Sequence, residues 1–142
     1  MGYIDIHDDM QIAHIVMVDD DKEDLFLTKV NLEKSKFPFK FTGLKSAEAF
    51  FDYIETNGTA DIDIVLLDLN MPRLDGLGAL KKLQEKPEVK KIKQFVFSNS
   101  TRDEDRDRCI RAGADGYLYK PSSADEIKRF VNTVALASDF WV

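Results

Sequence analysis

One cysteine, two histidines and four prolines among 142 residues exclude several kinds of protein at once. The lone Cys109 leaves no intrachain disulfide, so the fold must rest on its core, and the chain fits a reducing cytoplasm. His7 and His14 are too few for a histidine-based metal site. No apolar run approaches the length of a membrane span, and no signal peptide precedes the first hydrophobic segment. No basic block is long enough for a nucleic-acid arm, and the formal net charge is −6. Lys81, Lys82, Lys86, Lys90, Lys91 and Lys93 read as a solvated helix end and loop, with a docking patch as the alternative. Repeats and internal linkers are also missing, so a single domain is expected. Residues 1–11 are short and acidic and read as a flexible leader, in which Tyr3 to Ile6 could add a short strand; the domain spans residues 12–142.

What the chain does contain is organised around Ile62-Asp63-Ile64-Val65-Leu66-Leu67-Asp68. A run of branched aliphatics between turn formers reads as a strand buried on both faces, the kind found inside a parallel sheet. It ends on Asp68, followed by a turn in which Pro72 fixes φ and Gly76 supplies conformational freedom. Ile12 to Val18 is a similar strand, ending on Asp19-Asp20-Asp21, with Asp21 as a helix-start residue. A helix follows over residues 22–34, on which Phe26 and Val30 read equally as core or as an exposed patch. Phe37 to Gly43 alternates as a strand nearer an edge. Ser46 caps a helix over residues 47–56, and Asn57-Gly58 stops it. Residues 75–86 make a third helix, and Phe95 to Ser98 a fourth strand ending on a hydroxyl. Thr101 to Glu104 has capping-box spacing and opens a mostly charged fourth helix, expected to be the loosest. Asp115 to Tyr119 is a fifth strand ending on Lys120-Pro121. Ser123 to Glu126 is another capping box, opening a helix that carries Ile127, Phe130, Val131 and Val134. Five strand–helix alternations imply a parallel sheet with right-handed crossovers and helices on both faces; among such topologies a flavodoxin-like α/β fold with strand order 2-1-3-4-5 is the one expected.

In such a sheet the strand ends share one edge, where ligands collect. Asp19, Asp20, Asp68, Ser98 and Lys120 therefore converge. Two carboxylates about 5 Å apart repel by roughly 3 kcal/mol at an effective dielectric near 20. Protonation or a cation relieves this, and oxygen-only ligands favour Mg²⁺. A carboxylate there can attack phosphorus, while Mg²⁺, Lys120 and the Ser98 hydroxyl take the phosphoryl oxygens. The added charge of about −1.5 to −2 can pull Ser98 and its loop inward, moving the fourth helix.

Val18-Asp19-Asp20, Leu67-Asp68-Leu69-Asn70-Met71-Pro72 with Asp75-Gly76, Ser98, Ala112 to Tyr117, and Lys120-Pro121 together resemble the receiver domain of two-component response regulators. The resemblance runs from Ile12 to about Asp139. Ser98 falls 30 residues after Asp68 and Lys120 another 22 on, which matches that family's spacing. The resemblance implies that Asp68 is the phospho-acceptor. It implies that Asp19, Asp20, Asp68 and the backbone carbonyl of Asn70 hold Mg²⁺, and that Lys120 pairs with the phosphoryl group. Ser98 becomes the switch hydroxyl, Tyr117 the aromatic that changes rotamer, and Lys120–Pro121 a cis peptide. Asn70 and Ser100 match positions that tune acyl-phosphate lifetime; Asn99 departs from the small residue usual after the switch hydroxyl. The donor is expected to be a histidine kinase or phosphotransfer protein, and the target an unidentified protein. Neither nucleic acid nor a membrane is expected as partner. The chain ends after the fifth helix, so it resembles a single-domain receiver without an output domain, similar to the phytochrome-associated group. Trp141 reads as packing, though it could seal a homodimer contact.

Other classes compete on the same residues. A hydrolase with an aspartyl-phosphate intermediate, similar to the haloacid dehalogenase phosphatases, would place a second acid where Asn70 stands. A flavodoxin-type electron carrier would need a phosphate loop after the first strand, where three aspartates repel phosphate. A receiver-like module that binds partners without phosphorylation would not require the acids, Ser98 and Lys120 together. A signalling module, rather than an enzyme, is the expectation.

Overall fold

Side-chain alternation along five strands sorts the core into two layers. The computed structural model describes residues 12–35 and 38–137. The strands are β1 (Ala13–Val18), β2 (Phe39–Leu44), β3 (Ile64–Asp68), β4 (Lys93–Ser98) and β5 (Gly116–Tyr119). They form one parallel sheet in the order β2-β1-β3-β4-β5, as the alternation predicts. The helices are α1 (Lys22–Lys34), α2 (Ala47–Asn57), α3 (Gly76–Leu83), α4 (Asp103–Arg111) and α5 (Ala124–Ala137). Successive side chains of a strand point to opposite faces. Ile15, Met17, Ile64, Leu66, Phe95 and Phe97 pack with Leu25 and Leu32 of α1 and with Phe130, Val131 and Val134 of α5. Val16, Val18, Val65, Leu67 and Val96 pack instead with α2, α3 and Cys109 of α4. Both faces of β1 and β3 are thus covered, which explains their unbroken apolar runs.

Several local expectations shift. The third helix is shorter than residues 75–86: Asp75 is its cap, accepting from the Gly78 amide at 2.8 Å, and a short 3-10 turn, Pro87–Lys91, leads to β4. The capping box at Thr101 does not form. Arg102 occupies the cap position of α4 without a side-chain bond, since a guanidinium has no acceptor to offer, and its own amide donates to Ser100 Oγ at 3.3 Å. At α5, Ser123 Oγ accepts from the Glu126 amide as expected, and the Glu126 carboxylate also accepts from the Ser122 amide and hydroxyl. Ser46 and Gly58 cap α2 as expected, Gly58 with φ 76°.

Gly76 is a second correction. The left-handed residue of the β3–α3 turn is Arg73, at φ 65°. Gly76 is needed for room: a Cβ there would overlap the Asp68 carbonyl. Helix α3 starts hard against the end of β3, and only glycine allows that approach. Phe26 is exposed while Val30 is half-buried, so neither is core. Among the described residues every peptide is trans, including Lys120–Pro121, expected cis; trans is the ordinary isomer for X–Pro by about 0.5–1 kcal/mol, and Lys120 reaches its partners from it. The leader, Phe37 and Trp141 lie outside the described residues. No described helix is long and apolar enough to cross a membrane.

Candidate functional site

The carboxyl edge of the sheet is set by backbone bonds that run one residue past each strand. The Asp19 amide donates to Leu44 O at 2.9 Å, and the Lys120 amide donates to Ser98 O at 2.8 Å. These bonds hold Asp19 and Lys120 in the ladder, so alternation still decides where they point. Asp19 follows Met17, Asp68 follows Leu66 and Lys120 follows Leu118, all on the α1/α5 face. Ser98 follows Val96, and Tyr117 packs with the opposite cluster, on the α2–α4 face. Charge chemistry and switch candidates therefore sit on two sides of one edge.

On the first side, Lys120 Nζ lies 2.8 Å from Asp19 Oδ2, 2.8 Å from Asp24 Oδ2 and 3.2 Å from Asp68 Oδ1. The ring of Phe97 lies below the ammonium, 6.0 Å from Nζ to its centroid. Asp19 is fully buried; its Oδ1 accepts from the Asp21 amide at 2.9 Å. Its Oδ2 has no well-aligned hydrogen bond, although the Lys120 ammonium lies 2.8 Å away. Burial and the neighbouring Asp19 charge push the Asp68 carboxyl up to about 6, against the opposing pull of Lys120 and the Asn70 amide. Lys120 moves the other way: its carboxylate partners raise it above the ordinary lysine range despite burial.

Asp19, Asp20 and Asp68 each offer one oxygen, and these oxygens lie within 4.8 Å of one another. A buried carboxylate oxygen without a donor, beside two further carboxylates, is a fit for a hard divalent cation. Its donors are all oxygen, as Mg²⁺ or Mn²⁺ prefers.

On the second side, Ser98 is fully buried and its Oγ accepts from the Ser100 amide at 3.0 Å. Besides accepting from the Arg102 amide, Ser100 is tied to two side chains. Its Oγ donates to Asp105 Oδ2 at 2.6 Å, and its carbonyl accepts from the Tyr117 hydroxyl at 3.0 Å. Asp105 also receives Arg108 Nη2 at 2.9 Å, and the Ser100 hydroxyl holds its carboxyl below the usual range.

The edge thus gathers Asp19, Asp20, Asp68 and Lys120, while Ser98 and Tyr117 converge on Ser100. Asn70 and Asn99 are exposed at the rim. Two participants escaped the sequence reading. Asp24 looks like an ordinary acid in a helix's first turn, where the dipole favours one. Asp105 is one of many charges on α4, and only its burial distinguishes it. Another buried polar group lies at the opposite end of the sheet. His14 Nε2 meets Thr42 Oγ1 at 2.8 Å, and its Nδ1 meets Asp61 O at 3.1 Å, a satisfied core histidine.

Comparison with known proteins matches residues 15–132 to the response regulator receiver domain family. The probable methanogenesis regulatory protein FilR2 of Methanothrix harundinacea is 28% identical over 131 residues, covering 90% of this chain and 83% of that protein. Among solved structures, the phosphorylated cyanobacterial phytochrome response regulator RcpA superposes with a TM-score of 0.76 at 24% identity. The match covers 92% of this chain and 94% of that one. The Mn²⁺-bound form of response regulator Rcp1 superposes with a TM-score of 0.72, also at 24% identity, over 86% and 91% of the two chains. At that identity both likenesses are of fold.

Proposed function

This chain belongs to the response regulator receiver domain family of two-component systems, and from that premise we propose that Asp68 accepts a phosphoryl group in a cation-dependent reaction. The observation that carries the reading is the convergence of Asp19, Asp20 and Asp68 on one ammonium, Lys120. An Asp68 oxygen attacks phosphorus of a phosphohistidine on a kinase or phosphotransfer protein. The new P–O bond forms as the P–N bond breaks, and its electron pair leaves with the imidazole. Asp19, Asp20, Asp68 and the Asn70 carbonyl would hold Mg²⁺, whose charge would offset that of the phosphoryl oxygens. Lys120 pairs with one phosphoryl oxygen, and burial of the site keeps that pairing strong.

The acyl phosphate carries about −1.5 to −2 charge on three acceptor oxygens, in place of the single carboxylate charge. Ser98 Oγ turns from the Ser100 amide to donate to a phosphoryl oxygen. Ser100 then shifts, and its bonds to Asp105 and Tyr117 transmit that shift to α4 and to the Tyr117 ring. α4 is suited to this, since only Asp105 and Cys109 of its residues are buried. A downstream protein reads the altered α4 face. In this reading the chain is a signalling module that phosphorylates and dephosphorylates itself, and the cytoplasm is the compartment it implies.

Incubation with acetyl phosphate and Mg²⁺ tests the proposal. One base-labile phosphoryl group per chain is expected, with none in Asp68→Asn and none in excess EDTA. Labelling that survives either change would falsify the acceptor assignment.

A further inference from the structure

Lys120 has a third carboxylate partner that neither the acceptor chemistry nor the cation site requires. Asp24 lies in the first turn of α1, and its Oδ2 both accepts a hydrogen bond from Lys120 Nζ and pairs with it at 2.8 Å. This is as short as the Asp19 contact and shorter than the 3.2 Å contact to Asp68. Asp24 is not among the three acids whose oxygens cluster within 4.8 Å. Its aligned hydrogen bond contrasts with Asp19 Oδ2, which has none. The ammonium is therefore shared between the helix and the acids that face the cation site, with its aligned bond on the helix side.

That orientation has a consequence for cation binding. An ammonium and a divalent ion compete for the same carboxylate charge. If Lys120 pointed its protons at Asp19 Oδ2 and Asp68 Oδ1, those oxygens would be occupied, and an incoming ion would have to displace them. Asp24 takes a share of the ammonium by offering the aligned acceptor, while Nζ stays 2.8 Å from Asp19 Oδ2. The pair also borders a groove of about 180 Å³ between α1 and the start of α5, lined by Leu27, Pro121, Ile127 and Phe130. The side chain of Asp24 is 30% exposed there, against 0% for Asp19, so Asp24 gives up less hydration to hold its charge.

We propose that Asp24 is a positioning residue that shares the Lys120 ammonium from the α1 side, loosening its hold on the Asp19 and Asp68 oxygens so that a divalent cation can take them. The inference rests on the cation-dependent acceptor reading and adds to it a residue outside that reading's ligand set.

Calorimetric titration of the full chain with Mg²⁺ tests it. Asp24→Asn weakens Mg²⁺ binding by about threefold to fivefold, the effect of one partly exposed ion pair. The Mg²⁺ half-saturation for labelling by acetyl phosphate rises by the same factor. Asp24→Glu, which keeps the acceptor, restores most of the affinity. Glu23→Gln removes an equal charge from the same turn without touching Lys120, and changes affinity by less than about twofold at a Debye length near 8 Å. In a Lys120→Met background, Asp24→Asn has no further effect, because the group it positions is gone. Equal weakening by Asp24→Asn and Glu23→Gln, or persistence of the Asp24 effect without Lys120, overturns the inference and leaves only long-range charge. The Asp24 and Glu23 comparison stands alone if the double variant does not fold. A wild-type chain that neither binds Mg²⁺ nor takes label would sink the acceptor reading itself; a wild-type chain that does both, with Asp24→Asn unchanged, sinks only the role of Asp24.

Discussion

Asp68→Asn should stabilise the metal-free protein even as it abolishes phosphorylation. Asp68 is buried against Asp19, and its carboxyl sits at about 6 instead of 3.8 with the Lys120 attraction already included. The folded state therefore resists ionising this group. Below pH 3.8 the carboxyl is neutral in folded and unfolded chains alike, and it costs nothing. As pH rises from 3.8 through 6 the unfolded chain ionises first, and stability falls; above that window the full cost is present. At about 1.4 kcal/mol per tenfold this amounts to about 3 kcal/mol, and water at the mouth of the site screens it to about 1–2 kcal/mol. Asparagine carries no charge at any pH and escapes the cost. Urea unfolding in EDTA at pH 7.5 should show the variant more stable by that amount, and at pH 5 the gap should shrink by about half. Other groups titrate alike in both proteins and cancel in the difference. Excess Mg²⁺ should reverse the order, since an ion at one hundred times its dissociation constant adds about 2.7 kcal/mol to the wild type. An asparagine variant no more stable than wild type in EDTA at pH 7.5, or a gap that ignores pH, would refute the electrostatic account of the site.

Lys120→Ala leaves Asp19, Asp24 and Asp68 without their shared cation, and should lower metal-free stability by about 3–5 kcal/mol, with Mg²⁺ restoring part of it. In that variant, hydrogen exchange over residues 99–112 should no longer respond to a phosphodonor; a wild-type response would deny Lys120 its coupling role. Asp105→Asn should loosen α4, seen as faster amide exchange across Asp103–Arg111 with little change in α5. The lowered Asp105 carboxyl stabilises the fold fully above its ordinary value of 3.8, and that contribution disappears as pH falls through its lower folded-state value. Exchange of α4 that stays unchanged as pH falls below 3.8 would argue against the Ser100–Asp105 tie. Gly76→Val drives a Cβ into the Asp68 carbonyl and should cost about 3 kcal/mol or more in urea unfolding; a near-neutral result would mean that the β3–α3 junction has slack.

The sheet and the acid cluster were legible in one dimension because both follow from short-range rules. Branched aliphatic runs ending on Asp19, Asp68, Ser98 and Lys120 mark parallel strands, and a parallel sheet puts all those ends on one edge whatever the loops do. Period-two alternation then sends Asp19, Asp68 and Lys120 to one face and Ser98 to the other. What alternation cannot carry is the meeting of residues from elements with no fixed register between them. Asp24 reaches Lys120 across 96 positions only because α1 packs on that face at one particular depth. Ser100 binds Asp105, and the helix starts at an Arg102 cap instead of Thr101, because the course of the loop after β4 is set by tertiary packing and not by a local pattern. Gly76 was visible as a glycine, but whether it served a positive φ or a close approach depended on how near α3 comes to the end of β3. The sign and size of the Asp68 perturbation are likewise tertiary: they arise from burial and from through-space charges, neither of which a linear chain possesses.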